Sequence, residues 1–135
     1  MADDDDDAAV PAGDAARAAH LAALLDALPV DRRARLHRIA AEAAQLYPND
    51  LALYIAAVDA AADYLTGKAD LHAAGRALAR ARRDEQLWRA RVRAMVVLAC
   101  DDGMSERAVT KAANVDRMNI RKWLGKKVYR RDARR

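Results

Sequence analysis

The chain has no phenylalanine, and aromatic residues make up only 4% of its 135 positions. Serine occurs once, at Ser105, threonine twice, and cysteine once, at Cys100. Each scarcity removes a class of explanation. An enzyme that works through a covalent nucleophile has few residues to draw on. A single cysteine forms no internal disulfide and no cysteine-based metal site; within "MVVLAC" it reads as a buried, inert thiol. His20, His37 and His72 fall on three separate expected helices. None has a carboxylate orienter in its local sequence, so neither a metal nor a catalytic histidine is expected. There is no Gly-rich phosphate loop, and the acidic pair Asp59 and Asp63 reads as a solvated helix face. No enzyme activity, cofactor or metal is therefore expected. Apolar runs fall well short of the ~20 residues of a membrane span. The acidic N-terminus does not look like a signal peptide. A cytoplasmic, nucleoid-associated chain without a membrane partner is the expectation. Proline and glycine are few, and β-branched or aromatic clusters are scarce, which points to an all-α protein.

What is present is alanine, arginine and a lopsided charge. Hydrophobic residues reach 53%, but much of that is Ala, which buries little surface, so close helix packing must replace large side chains. Arg outnumbers Lys 19 to 5, a composition that a GC-rich bacterial genome favours and that suits a chromosomal, phage or plasmid protein. The formal net charge is +4, and the halves differ in sign. Residues 1–67 carry 5 Arg and 12 Asp or Glu, a net of −7; residues 68–135 carry 19 Lys or Arg and 8 Asp or Glu, a net of +11. Such asymmetry points to one end that binds nucleic acid and another with a different task.

Five consecutive aspartates, Asp3–Asp7, make residues 1–13 a disordered acidic tail by expectation. Asp14 is placed to cap a first helix with Leu21, Leu24, Leu25 and Leu28 at helical spacing, ended by Pro29. Asp31 is placed to cap a second, with Leu36, Ile39, Ala43 and Leu46 on one face. Asn49 or Asp50 starts a third, striped by Leu51, Tyr54, Val58, Ala61 and Leu65 and stopped at Gly67. A fourth begins near Asp70 with Leu71, Ala74 and Leu78 inward. Short loops make neighbours antiparallel, so residues 14–83 are read as a small helical bundle. A bundle of that size is marginal alone and suits dimerisation or partner binding. The stretch from residue 70 to Ala99 is expected to break or kink near Asp84, since uninterrupted helices beyond ~25 residues are unusual. Trp88, Val92, Met95, Val96 and Ala99 form the inner stripe of its second part, with Arg89 and Arg93 outward.

From Gly103 onward there are 11 basic and 3 acidic residues. Gly103 reads as a left-handed helix stop and Ser105 as the N-cap of a short helix over about 105–113. Asn114 sits where a tight turn needs a positive φ, Val115 fills the turn, and Asp116 caps a second helix to Leu124, ended by Gly125. Val109, Ala113, Ile120 and Trp123 point inward, with Trp123 against the helix that carries Trp88 and Val92. Over residues 84–125, "EQLWRARVRAMVVLACDD" followed by "GMSERAVTKAANVDRMNIRKWLG" resembles the helix-turn-helix of bacterial regulators, of resolvases and invertases, and of sigma-factor region four. Thr110 and Asn114 depart from the Ala and Gly usual there. Thr110 has the option of bonding back to its own helix.

The resemblance implies a C-terminal tri-helical DNA-binding domain over residues 84–125, a basic tail over 126–135, and double-stranded DNA as partner. With Ile120 and Trp123 inward, Arg117, Met118, Arg121 and Lys122 face outward. Arg117 and Arg121, one turn apart, suit guanine; Met118 suits a thymine methyl, Asn119 adenine and Asp116 a cytosine amine. Ser105, Arg107, Lys111, Lys126, Lys127, Arg130 and Arg131 suit phosphates, with Arg134 and Arg135 prolonging the tail and Tyr129 as packing or a phosphate donor. A sequence-specific transcriptional regulator, dimeric or partner-bound through its N-terminal helices, is the reading expected. The alternative is an assembly or adaptor protein for phage packaging, plasmid partition or protein recruitment, with weak sequence preference.

Overall fold

The computed structural model describes residues 9–126, and side chains from residue 13. The described residues form six α-helices and no strand: α1 Ala9–Asp26, α2 Val30–Leu46, α3 Leu51–Leu65, α4 Leu71–Asp101, α5 Glu106–Ala113 and α6 Arg117–Trp123. The chain divides into two compact units, residues 1–75 and 76–135.

In the first unit, α1, α2 and α3 pack around one core of Leu28, Leu36, Ala40, Ala43, Tyr54, Val58, Ala62 and Leu65. The small residues Ala40, Ala43 and Ala62 let the helices approach closely, as the alanine content requires. Asp50 caps α3 by accepting from the Leu53 amide at 3.0 Å. Gly67, at φ 75°, ends the turn after α3. Arg17 locks the turn between α2 and α3. Its guanidinium donates to the carbonyls of Tyr47 at 3.0 Å and Pro48 at 2.7 Å, and lies over the Tyr54 ring at 5.4 Å.

Several local expectations are corrected. α1 already includes Ala9, so residues 9–13 are helical and not part of a disordered tail, and Asp14 lies inside the helix and pairs with Arg17 instead of capping. α2 begins at Val30, so Pro29 holds the cap position without a side-chain cap bond, and Asp31 sits in the first turn, where its charge suits the helix dipole. Leu46 is exposed, and so are Leu71, Ala74 and Leu78, which were expected to face inward.

α4 is a helix of 31 residues that runs through Asp84 without a break; its first five residues belong to the first unit and the rest to the second. Asp84 has no turn to cap, and the good helix formers around it keep the backbone helical. Val96, Val109 and Ile120 form the buried core, one residue from each of α4, α5 and α6. Val92, Ala99, Cys100, Ala113, Val115, Trp123 and Leu124 pack around them, so Cys100 is half-buried rather than fully enclosed. Trp88 leaves the expected inner stripe: it is 59% exposed, and the Arg91 guanidinium lies 4.8 Å from its ring centroid. Met95 is also exposed, and Trp123 is half-buried. The inner stripe narrows because the short α5 and α6 cover only the C-terminal part of α4.

Candidate nucleic-acid interface

Three positive-φ positions and two side-chain caps set α5 against α6. Gly103, at φ 96°, closes α4, with the Met104 amide donating to the Ala99 carbonyl at 2.9 Å. The Ser105 hydroxyl accepts from the Ala108 amide at 3.1 Å and starts α5. Asn114 then adopts the left-handed conformation, φ 52° and ψ 42°, the only positive-φ non-glycine residue among those described. Asn tolerates this conformation better than other side chains do. Val115 packs into the turn. Asp116 caps α6, accepting from the Asn119 amide at 2.9 Å. Gly125, at φ 72°, ends it.

The site residues expected from the sequence divide into three groups. Arg107, Lys111, Arg117, Met118 and Lys122 are exposed. A cleft of about 590 Å³ lined by Arg107, Thr110, Lys111 and Arg117 runs between α5 and α6. Arg107 and Lys111, which make no ion pair among the described residues, give the cleft a local positive field suited to an anion, and Arg117 adds a charge shared with Glu106.

The second group is tied to one carboxylate. Arg117 Nε donates to Glu106 Oε1 at 3.1 Å, and Arg121 Nη1 reaches the same oxygen at 3.4 Å. Lys126 Nζ donates to Glu106 Oε2 at 3.2 Å. Glu106 is only 18% exposed at its side chain. The Arg117 guanidinium, then Lys126 and Arg121, hold its carboxyl below the usual carboxylate range against the opposing effect of desolvation. Arg121 is itself half-buried, so it stands less free than an outward-facing residue would. Glu106 thus fixes the roll of α6 and restrains three of the cations. Sequence reading missed this role. The available signal was that Glu106 is the sole acidic residue between Gly103 and Asp116, in a segment otherwise rich in cations.

The third group is turned on itself. Asn119 Nδ2 donates to Asp116 Oδ2 at 2.6 Å while the Asn119 amide holds Oδ1. The Asn119 amide is the chief reason that the Asp116 carboxyl sits below its ordinary value. Both residues expected to meet bases therefore spend their polar atoms on the cap. Ser105 is likewise engaged as a cap, and the Thr110 hydroxyl donates to the Glu106 carbonyl at 2.8 Å. Lys127, Arg130, Arg131, Arg134, Arg135 and Tyr129 lie outside the described residues.

On the other side of α4, Arg89 and Arg93 line an open groove whose walls are Ala90, Ala94, Leu98 and Trp123. In the first unit, His20 Nε2 lies 2.6 Å from Asp59 Oδ1, a pair that joins α1 to α3 and that local sequence did not reveal. Among the described residues there is no group of three or more potential metal ligands, and no helix long and apolar enough to cross a membrane. No protein family, curated protein or solved structure matches the chain.

Proposed function

We propose that the chain binds double-stranded DNA through a helix-turn-helix formed by α5 and α6, and acts as a transcriptional regulator. The observation that carries this reading is the cationic cleft between α5 and α6, built on a left-handed Asn114 turn and two side-chain caps. A strip that presents Arg107, Lys111, Arg117 and Lys122 neutralises phosphates, the term that dominates affinity for DNA. Met118, exposed at the start of α6, offers an apolar contact to a thymine methyl. Arg117 is the exposed guanidinium of the strip and the best placed for a guanine edge.

A second reading is an assembly or adaptor protein that holds DNA with weak sequence preference. The closed Asp116–Asn119 pair and the Glu106 clamp on Arg121 favour it, since they leave few groups free to read bases. The two readings part on one experiment. Selection of bound fragments from genomic DNA is followed by titration of Arg117→Ala and Lys111→Ala against selected and scrambled duplexes. Loss of a base contact costs about 1–3 kcal/mol on the preferred site alone. Loss of a phosphate contact weakens both duplexes and lowers the salt slope by roughly one unit. Equal losses on both duplexes for Arg117→Ala support the adaptor. Absence of any salt-dependent binding defeats both readings.

A further inference from the structure

The least accounted-for surface of the molecule is α4 itself. Every residue from 71 to 91 is exposed, although most helical stability in proteins comes from packing an apolar face against a partner. Its apolar side chains are not scattered. Leu78, Ala81, Trp88, Val92 and Met95 recur at spacings of three and four, with Glu85 as the one charged position in the series. That is a heptad seam, the pattern that packs one helix against another. Leu78 is 52% and Met95 56% exposed, so the seam is open at both ends. Towards its C-terminal end it runs into an apolar groove of about 240 Å³ formed by Val92, Met95, Ala99, Met104, Val109 and Ala112.

We infer that this seam is the dimer interface, α4 pairing antiparallel with α4 of a second copy. The seam has a protruding half, Leu78 to Trp88, and a grooved half, Val92 to Ala112. A two-fold axis lays the protruding half of each copy into the grooved half of the other, the self-complementary arrangement that closed dimers require. In that register Leu78 meets Met95 of the second copy, Ala81 meets Val92, and Glu85 meets Trp88. All layers share one symmetry centre, between Gln86 and Leu87.

The same register places Asp84 beside Arg91 of the second copy, twice by symmetry. On the opposite flank Arg82 falls beside Arg89 of the second copy, a like-charge pair that Glu85, 3.8 Å from Arg89 of its own helix, partly offsets. A parallel pair instead stacks Glu85 on Glu85 in the seam, which is costly. A specific interface needs about 1,000 Å² or more in total, so the pairing has to take in the groove as well as the helix seam.

The arrangement deepens the proposed function, and its link to DNA rests on that reading. Val96, which anchors α5 and α6, lies 9 to 10 residues from the symmetry centre. At ~1.5 Å per residue the two Val96 positions are about 28 Å apart along the paired helices. Helix-turn-helix dimers span half-sites about 34–36 Å apart, so a site in two halves one turn apart is the DNA that such a dimer fits.

The test needs no DNA. Full-length protein is analysed by sedimentation, alone and as the double variant Leu78→Glu, Met95→Glu, with circular dichroism as the folding control. Both positions are exposed in the monomer, so helicity stays unchanged while the dimer is lost. Because α4 is rich in arginine, added salt screens repulsion and strengthens the dimer, whereas it weakens DNA binding. Orientation is read by mixing Leu78→Cys and Met95→Cys proteins, both in a Cys100→Ala background. The antiparallel pair gives a 78–95 disulfide in preference to either self-link. A monomer at 100-fold the working concentration, or a dimer indifferent to the double charge substitution, overturns the interface. A 78–78 link overturns the antiparallel register. Failure of DNA binding with an intact dimer refutes the proposed function and leaves the interface standing.

Discussion

Ile120 is the residue on which the C-terminal unit turns. It is 0% exposed and shares its core only with Val96 and Val109 as fully buried partners. Ile120→Ala removes three carbons from the centre of that cluster. At ~0.8 kcal/mol for each buried methylene the transfer loss is about 2.4 kcal/mol. An unrelaxed void adds ~24 cal/mol per Å³, about 2 kcal/mol for roughly 80 Å³. The expected loss is therefore about 2.5–4.5 kcal/mol, less if α6 collapses inward. Ile120→Val removes one carbon and should cost about 0.5–1.5 kcal/mol. Urea unfolding followed by tryptophan fluorescence in a Trp88→Tyr background is the assay, because Trp123 packs on this core while Trp88 lies on the α4 seam and would also report its opening. The α1–α3 core contains no tryptophan, so the fluorescence transition isolates the second unit. A shift below about 0.5 kcal/mol for Ile120→Ala would refute the claim that these three residues hold α6 in place. Trp123→Ala should cost less than the 3–5 kcal/mol of a fully buried aromatic, because Trp123 is only half-buried.

Other outcomes follow from the same geometry. Glu106→Gln frees Arg117, Arg121 and Lys126, so DNA affinity should rise and the salt slope steepen; unchanged binding would mean that the clamp does not restrain those cations. Glu106 and Asp116 are both held below their ordinary values, so the stability they contribute is present above about pH 4.5 and is lost as pH falls through the lowered folded values. Glu106→Gln and Asp116→Asn should each flatten the acid limb of a stability–pH curve, measured by thermal melts from pH 7 to pH 3. Asn114→Gly should be nearly neutral and Asn114→Val destabilising by about 1–2 kcal/mol, because only the latter is strained in the left-handed conformation. Ser105→Ala should cost about 0.5–2 kcal/mol through loss of the α5 cap, read from the same fluorescence transition.

What the sequence determined by itself is local in origin. The helical class, the caps at Asp50, Ser105 and Asp116, the left-handed Asn114, the glycine stops and the inward Ile120 all follow from backbone preferences and spacing within a turn or two. Those signals are strong because a cap or a positive φ needs no distant partner. The errors lie where two distant parts decide together. Asp84 looks like a cap, yet its neighbours keep the helix continuous. Leu71, Leu78 and Trp88 look inward because they are apolar, yet inwardness is a property of what lies opposite, and periodicity does not carry that. Glu106 lies 11 residues from Arg117 and 20 from Lys126, so its role appears only when α5 and α6 cross. The His20–Asp59 pair and the Arg17 clamp on the α2–α3 turn join positions more than 25 residues apart in the same way. Tertiary structure alone decides which charges are spent on each other and which remain for a ligand. Coulomb energy depends on distance in space, and the order of residues along the chain does not fix that distance.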